Sequence, residues 1–278
     1  MCDKDLLGAD AGALRGKKLW LFDMDGTIYL GNQVFPGTVP LFTEIRRLGA
    51  RYILVTNNSS RSRETYVEKV RKMGIDAEEE DFYTSVDATI AYLKEHFPKA
   101  LVYVQATRAC VDQLKDAGIW VTEEFDRHAD VVLVGFDTEL TFEKLNRTSE
   151  MLTGFKGAYL ATNPDFVCPT EYGYVPDCGS MCIGLRYATG LEPVVIGKPE
   201  PTMLEMAVKL AGCTKEETVM VGDRLYTDIA SGVNAGIDTI CVLSGEAGME
   251  DILAFDKKPR WIFRDVSHIL EVLNNDIR

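Results

Sequence analysis

The sequence predicts an α/β fold, a Rossmann-like doubly wound parallel-sheet core with an inserted α/β cap domain. Two observations lead to this prediction. Short apolar or β-branched runs alternate along the chain with segments of helical periodicity, which is typical of parallel strands joined by helices. The middle of the chain also contains strand-like and helix-like segments of its own. A chain of 278 residues is long enough to bury both cores.

The first part of the core is predicted to span residues 1–96. Its main elements are a strand over 18–22, a helix over 39–48, a strand over 51–55 and a helix over 62–73. Gly49 and Gly74 follow the two helical patterns, as expected where a helix ends.

The inserted cap domain is predicted to span 97–191. Its apolar runs favour strands over 101–104, 131–134 and 158–161, with helices over 109–117 and 142–152.

The second part of the core, 192–278, repeats the pattern of the first. Strands are expected over 193–196, 218–221, 238–243 and 261–263, with helices over 201–210 and 226–234. Pro201 suits the first turn of a helix.

The formal net charge of −13 narrows the classes of partner. Such a field repels polyanions, so we expect no nucleic-acid or membrane partner. The first residues do not resemble a secretory signal, and no apolar run is long enough to span a bilayer. The seven cysteines are an odd number, which favours reduced thiols. Together these observations favour a cytoplasmic location. Cys168, Cys178 and Cys182 lie close in sequence, but their spacing matches no familiar zinc site. An acidic protein that handles an anion needs local cations.

Polar side chains follow four predicted strands, at the point where each strand ends. They are Asp23, Asp25 and Thr27 after the first strand, Thr56, Asn57, Asn58 and Ser59 after the second, Lys198 after the strand at 193–196, and Asp223 and Asp228 after the strand at 218–221. In an open parallel sheet the carboxyl ends of the strands form one edge, where ligands bind. We therefore expect the four clusters to meet.

Four carboxylates held close together repel one another unless a cation joins them. Oxygen ligands select a hard ion, and Mg²⁺ needs only one or two carboxylates beside water and phosphate oxygens. Mg²⁺ and Lys198 are thus the local cations that the overall acidity requires.

The motifs DMDGT, TNNS, GKP and GDRLYTD, in this order, resemble those of the haloacid dehalogenase superfamily of phosphohydrolases. TNNSS, ATNPD at 161–165 and GKPEP are similar to the NagD-like, para-nitrophenylphosphatase-type branch. The resemblance covers nearly the whole chain. It implies a magnesium-dependent phosphatase that acts on a small phosphorylated metabolite, such as a sugar phosphate or a nucleotide, and it is compatible with a homodimer formed through the cap.

The resemblance also implies roles for the residues. Asp23 would attack phosphorus to form an aspartyl-phosphate, and Asp25 would act as general acid and then as general base. The metal would be held by the carboxylates of Asp23 and Asp223 and the main-chain carbonyl of Asp25, with Asp228 in support through water or hydrogen bonds. The phosphate-binding set would be Thr56, Asn57 through its main chain, Asn58 and Lys198.

Several of these residues also have a structural interpretation. Asp-x-Asp-Gly is common in surface turns, although the other three clusters argue against that here. Asp228 could simply hydrogen-bond its own loop. Asn163 and Asp165, on either side of Pro164, could be turn formers or could face a substrate.

The motifs leave three alternative functions to be weighed against a phosphatase. A phosphomutase or phosphotransferase would pass the phosphoryl group to an organic acceptor. A dehalogenase is disfavoured because attack on carbon needs no Mg²⁺, yet Asp25 and Asp223 are both present. A non-catalytic phosphate-binding regulatory protein could lose its nucleophile, whereas Asp23 is retained. The three histidines lie far in sequence from all four motifs, so neither a Ser-His-Asp triad nor a His-ligated zinc is supported.

Overall fold

The computed structural model describes residues 3–170 and 172–274, which divide into two compact units. The first unit comprises the described residues up to 56, residues 64–83 and those from 198 onward. The second comprises 57–63 and 84–197. The predicted insertion, 97–191, lies inside the second unit, which also includes 13 residues before it (84–96), six after it (192–197) and the separate segment 57–63.

The strands are numbered in chain order. They are β1 (Leu19–Phe22), β2 (Tyr29–Leu30), β3 (Gln33–Val34), β4 (Arg51–Thr56), β5 (Phe82–Thr84), β6 (Leu101–Gln105), β7 (Trp120–Thr122), β8 (Val131–Val134), β9 (Ala158–Ala161), β10 (Val167–Thr170), β11 (Gly173–Pro176), β12 (Val194–Val195), β13 (Thr218–Gly222), β14 (Asp238–Val242) and β15 (Trp261–Phe263).

The α-helices are numbered in the same way. They are α1 (Thr38–Arg47), α2 (Arg63–Lys72), α3 (Ser85–His96), α4 (Arg108–Asp116), α5 (Phe142–Leu152), α6 (Cys178–Thr189), α7 (Thr202–Ala211), α8 (Ala230–Ala235), α9 (Met249–Ala254) and α10 (Val266–Asn274). Short 3₁₀ turns occupy Gly12–Gly16 and Glu79–Asp81, and a π-helical turn, Leu225–Ile229, leads into α8.

The first unit is built on a six-stranded sheet in the order β15-β14-β13-β1-β4-β5. Strand β1 lies at the centre and pairs in parallel with β13 and β4. Apolar side chains cover both faces of the sheet. In β14, for example, Ile240 and Val242 belong to one core cluster and Cys241 to another, because successive side chains point to opposite faces. Burial on both faces confirms the predicted doubly wound α/β core.

The second unit has a sheet of its own, in the order β12-β9-β8-β6-β7, with every pair parallel. Its faces also carry separate apolar clusters: in β8, Val132 and Val134 contribute to one cluster and Val131 and Leu133 to the other. A small antiparallel pair, β10 and β11, precedes α6. This α/β unit confirms the predicted class of the inserted domain.

Strand β12 corrects one prediction. The run 193–196 was expected to join the core sheet, but Val194 and Val195 pair in parallel with Leu160 and Ala161 of β9 in the second unit. Val195 packs there against the apolar cluster that includes Ala161. Periodicity identifies a strand from its residues, whereas the choice of sheet depends on which distant strand has a free edge.

The described residues contain no helix with both the length and the apolar character needed to cross a membrane.

Candidate active site

The acidic side chains of the first unit lie at the carboxyl ends of adjacent strands. Asp23 directly follows β1, and its main-chain N–H donates to the carbonyl of Val221 in β13 at 2.9 Å. Asp223 directly follows β13, and Thr56 is the last residue of β4. This is the edge at which open parallel sheets bind ligands, as the sequence predicted.

Three carboxylates come together at this edge. One oxygen from each of Asp23, Asp223 and Asp228 lies within 4.8 Å of the other two. Asp223 and Asp228 are buried, whereas the side chain of Asp23 is 17% exposed and remains accessible. An all-oxygen set of this spacing fits a hard divalent cation such as Mg²⁺.

Lys198 supplies a positive charge to the same group. Its Nζ donates to Asp23 Oδ1 at 2.6 Å and to Asp228 Oδ1 at 2.7 Å, and it lies 3.4 Å from the carbonyl oxygen of Val55. The residue is only 2% exposed. Burial alone would lower the pKa of Lys198, but the two carboxylates outweigh this effect and raise its pKa, so the ammonium form persists.

Asp223 is held from several sides. Thr27 Oγ1 donates to Asp223 Oδ1 at 2.9 Å, and the Glu246 N–H donates to Oδ2 at 2.8 Å. Gly26 adopts φ +89°, and a Cβ there would overlap Asp223 Oδ2. A Cβ at Gly245 would lie still closer to the same oxygen. Two glycines therefore make room for this carboxylate.

Asp228 lies on the π-helical turn that follows β13. Its Oδ2 accepts the main-chain N–H of Arg224 at 3.2 Å, while its Oδ1 accepts Lys198. π-turns of this kind are frequent at functional sites. Asp228 thus makes the contact to its own loop that was expected from the sequence, and it also accepts Lys198; its support of a metal stays a prediction.

Burial and mutual repulsion shift the acidity of the group. Burial, followed by the charge of Asp23, raises the pKa of Asp223 to about 6. The same causes raise the pKa of Asp228 to about 7, against the opposing effect of Lys198. Asp223 and Asp228 therefore bind protons more readily than isolated aspartates, and a divalent cation would displace them.

Asp25 belongs to the turn between β1 and β2. Burial raises its pKa above the ordinary value, and the nearby ammonium of Lys69 opposes the increase. The Gly26 N–H donates to the carbonyl of Tyr29 at 2.7 Å, which closes the turn. A half-buried carboxyl group with a raised pKa is better suited to donate a proton than an exposed aspartate is.

Asn57 and Asn58 are assigned to the second unit, together with the segment they begin. Asn57 Nδ2 donates to Asp165 Oδ2 at 2.9 Å. Asn58 Oδ1 accepts the main-chain N–H of Ser60 at 2.9 Å and its hydroxyl at 2.8 Å. Both side chains thus support the conformation of their own segment, and a phosphate-binding role of these residues stays a prediction.

Three residues of the site were missed from the sequence. Ser244 Oγ donates to the carbonyl of Gly26 at 2.7 Å, and Gly245 and Glu246 contact Asp223 as described above. All three follow β14, at the same edge of the sheet. The rule that identified the other clusters, a polar group directly after an apolar strand, also applies to Ser244-Gly245-Glu246.

A doubly wound parallel sheet with an acidic group and a buried lysine at its carboxyl edge is suited to an enzyme that binds a divalent cation and an anionic substrate. Comparisons with known proteins identify the family. The model described as haloacid dehalogenase-like hydrolase matches residues 20–120, and a second model, described as HAD-hydrolase-like, matches 195–269.

Relatives match over nearly the whole chain. An acid sugar phosphatase of Staphylococcus aureus is 36% identical over 257 residues, which cover 92% of this chain and 98% of the relative. The crystal structure of a 4-nitrophenylphosphatase from Thermotoga maritima matches with a TM-score of 0.87 and 35% identity, covering 93% of this chain and 98% of that one. A glycerol phosphate phosphatase from Mycobacterium tuberculosis, in complex with calcium, matches with a TM-score of 0.85 and 30% identity, covering 93% of this chain and 76% of that one.

The chain belongs to the haloacid dehalogenase-like hydrolase family, in its NagD-like branch. It is an enzyme of the phosphatase class, a phosphoric monoester hydrolase. This confirms the family and the class of enzyme that the four motifs predicted.

Proposed function

We propose that the protein is a Mg²⁺-dependent phosphatase that hydrolyses a small phosphate monoester through an aspartyl-phosphate intermediate on Asp23. One observation carries the proposal. Asp23 Oδ1 lies 2.6 Å from the ammonium of Lys198, in a group where Asp223 and Asp228 offer further oxygen ligands within 4.8 Å. A carboxylate accessible to solvent, beside a cation and a metal-binding oxygen set, is suited to attack phosphorus.

In the first half-reaction an oxygen of the Asp23 carboxylate attacks phosphorus. The bond from phosphorus to the leaving alcohol breaks, and Asp25 transfers its proton to the departing oxygen. The raised pKa of Asp25 favours this role, because a larger fraction of the carboxyl group then retains a proton near neutral pH.

In the second half-reaction water attacks phosphorus. Asp25, now ionised, accepts the proton of that water as the bond between phosphorus and Asp23 breaks. Inorganic phosphate is released, and the carboxylate of Asp23 and the carboxyl group of Asp25 are restored.

Asp23, Asp223 and the main-chain carbonyl of Asp25 would hold the metal, with Asp228 in support. The bound ion supplies positive charge that offsets the repulsion between nucleophile and phosphate. Asp228 also acts through Lys198, whose ammonium it holds at 2.7 Å beside the nucleophile. Calcium in one solved relative supports a divalent ion in this family, and the oxygen ligands favour Mg²⁺.

Thr56, Asn57, Asn58 and Lys198 would form the phosphate-binding set. For Asn57 we assign the contact to the main-chain N–H, since its side chain is engaged with Asp165. The substrate would be a sugar phosphate or a similar small ester, because relatives are named acid sugar phosphatase and glycerol phosphate phosphatase.

A phosphate-release assay tests the function. The protein is incubated with para-nitrophenyl phosphate and with a panel of sugar phosphates, glycerol phosphate and nucleotides, in Mg²⁺ or in EDTA. We expect release in Mg²⁺ alone. An absence of Mg²⁺-dependent release from every compound would sink the proposal, and transfer of phosphate to an added alcohol in preference to water would identify a phosphotransferase instead.

Two substitutions test the assignment of the nucleophile. Asp23→Asn should reduce turnover to background, since the amide cannot form the intermediate. Asp228→Asn should only weaken turnover, because Asp223 and Asp23 remain to hold the metal. Both variants are compared with wild type by kcat and by trapping of phosphoenzyme with radiolabelled substrate. An Asp23→Asn variant that retained most of its activity would exclude Asp23 as the nucleophile.

A further inference from the structure

The ATNPD segment, residues 161–165, forms a hydrogen-bonded junction inside the second unit. Asp165 Oδ2 accepts Nδ2 of Asn57 at 2.9 Å and Nδ2 of Asn163 at 3.1 Å. Asn163 Nδ2 also donates to Asp177 Oδ1 at 3.1 Å, and its Oδ1 accepts the hydroxyl of Thr162 at 3.0 Å. Asn163 is fully buried, so its amide conformation is determined by these partners.

Asn57 is fixed at two points. Its side chain is held by Asp165, and its carbonyl oxygen accepts the hydroxyl of Ser85 at 2.6 Å. Two residues further on, the hydroxyl of Ser59 lies 2.9 Å from that of Thr162. The ATNPD segment therefore supplies two of the contacts that order the start of the 57–63 segment, beside those from Ser85 and Phe136.

Gly197 contacts the same junction. Its N–H donates to the carbonyl of Thr162 at 2.9 Å. A Cβ at Gly197 would lie 2.6 Å from Asn57 Oδ1 and 2.7 Å from the Thr162 carbonyl oxygen, so only glycine fits without displacing Asn57. In sequence, Gly197 directly precedes Lys198 and Asn57 directly follows Thr56. The junction thus holds the neighbours of two residues in the proposed phosphate-binding set.

We propose that Asp165, supported by Asn163, is a positioning residue that orients the main chain of Asn57 for phosphate binding. The proposal rests on the proposed function. The Asp165 carboxylate does not touch substrate: it acts by fixing the Asn57 side chain, which together with the Ser85 contact determines the direction of the adjacent peptide group. This role differs from both sequence-based interpretations, the turn former and the substrate-facing loop.

A double-mutant cycle tests the proposal. The variants are Asn57→Ala, Asp165→Ala and the double variant. Two measurements are made in Mg²⁺: the inhibition constant of inorganic phosphate against para-nitrophenyl phosphate, and the rise in melting temperature that phosphate produces. Phosphate is chosen because it is the product whatever the substrate, and the melting measurement does not depend on turnover.

We expect each single variant to bind phosphate about tenfold more weakly and to have a higher KM for para-nitrophenyl phosphate. Small displacements of a positioned group have effects of this order or larger. The double variant should also lose about tenfold, because residues that act through one contact are not additive. Asp165→Asn keeps an acceptor oxygen and should stay within about threefold of wild type. The matched control is Asp177→Asn, which alters the other partner of Asn163 and leaves the Asn57–Asp165 contact in place. Its affinity for phosphate should also stay within about threefold of wild type.

Three results would overturn the proposal. The first is a folded Asp165→Ala variant with wild-type phosphate affinity. The second is a double variant whose loss is the product of the single losses, about a hundredfold. The third applies even if Asp165→Ala does not fold: an Asn57→Ala variant that binds phosphate like wild type. An active wild type with any of these results rejects this inference alone, whereas a wild type that neither releases nor binds phosphate rejects the proposed function as well.

Discussion

At the scale of single residues, Lys198 compensates part of the negative charge of the active site, where three carboxylates lie close together. A lysine that is 2% exposed is stable only with partners, and here two carboxylates accept its ammonium group. Asp228 is fully buried and receives this cation on one oxygen. Lys198 and a divalent metal therefore act on the same carboxylates, so the loss of one should increase the demand for the other.

Replacement of Lys198 by Met tests this relation. We expect activity to fall by about 10²–10³-fold, and the free energy of unfolding in EDTA to fall by about 3–5 kcal/mol, because buried carboxylates lose their partner. Mg²⁺ should then raise the melting temperature more in the variant than in wild type, since it replaces the missing charge. Thermal unfolding in EDTA and in Mg²⁺ measures this difference.

Lys144→Met is the matched control. Lys144 Nζ lies 3.0 Å from Oδ2 of Asp137, whose side chain is fully buried. Both residues belong to the second unit, whereas the acidic group belongs to the first. This variant should be destabilised without any added response to Mg²⁺. Equal responses to Mg²⁺ in the two variants would contradict the link between Lys198 and the metal.

Asp177 gives a pH dependence that is separate from the active site. Burial raises the pKa of this helix-capping carboxyl group from 3.8 to about 6. The pKa of Asp177 is higher in the folded state than in the unfolded state. Its favourable contribution to the free energy of unfolding is therefore complete below about pH 4 and is lost as the pH rises through 6. The charged form is the costly one in the folded state.

We therefore expect Asp177→Asn to gain stability relative to wild type as the pH is raised from 4 to 7, by a difference on the order of 2–3 kcal/mol. Asn retains the acceptor oxygen and carries no charge. Denaturant unfolding of both proteins across this range gives the difference between their free energies of unfolding at each pH. Groups that titrate in both proteins cancel in this difference. A difference independent of pH would show that Asp177 does not titrate with a raised pKa.

At the scale of elements, the turn after β1 combines a special backbone conformation with a tight contact. Gly26 has φ +89°, and an added Cβ would overlap Asp223 Oδ2. Gly212, which ends α7 in the same unit, has φ +67° but no atom within 4 Å of an added Cβ. The two glycines share the backbone requirement and differ in the contact.

Gly26→Ala and Gly212→Ala separate these effects. Both should lose about 1–2 kcal/mol of unfolding free energy, because a side chain is unfavourable in the left-handed region. Only Gly26→Ala should also displace Asp223, with kcat/KM lowered by about 10²-fold in Mg²⁺. Denaturant midpoints and steady-state kinetics measure the two effects. Equal activity in both variants would exclude steric support of Asp223 by the turn.

The elements differ in how far the sequence predicts them. Apolar runs identified the central strands, since β1 and β13 are buried along their whole length and read as continuous hydrophobic segments. The pair β10 and β11 was missed because its strands are largely exposed and contain Pro169 and Pro176. Helix α6 was missed because Cys178-Gly-Ser-Met-Cys182 gives a weak helical pattern.

The site shows the same division between local and long-range information. Asp23 and Asp223 directly follow strands of the core sheet, so the local sequence was enough to predict that they lie at its carboxyl edge. Lys198 was expected after a core strand, yet β12 pairs with β9 in the other sheet, and Lys198 is the first residue assigned again to the core unit. The tertiary contact of Asn57 with Asp165 spans 108 residues and has no signal in a single sequence.

At the scale of the whole molecule, metal binding should stabilise one unit more than the other. Asp23, Asp223 and Asp228 all belong to the first unit, and each unit has its own sheet and its own apolar clusters. A ligand stabilises the species that binds it by RT ln(1 + [L]/Kd), about 2.7 kcal/mol when [L] is 100 times Kd. If the units can open separately, this free energy appears only in the unit that holds the metal.

Hydrogen exchange followed by mass spectrometry resolves the two units. With saturating Mg²⁺, peptides from β1 and β13 should gain protection of about 2–3 kcal/mol in opening free energy, while those from β6 and β8 should change little. Asp223→Asn, which lacks one ligand, should lose most of the gain in β1. Equal gains in β6 and β8 would mean that the two units open as one, and no gain in β1 or β13 would argue against a metal at Asp23 and Asp223.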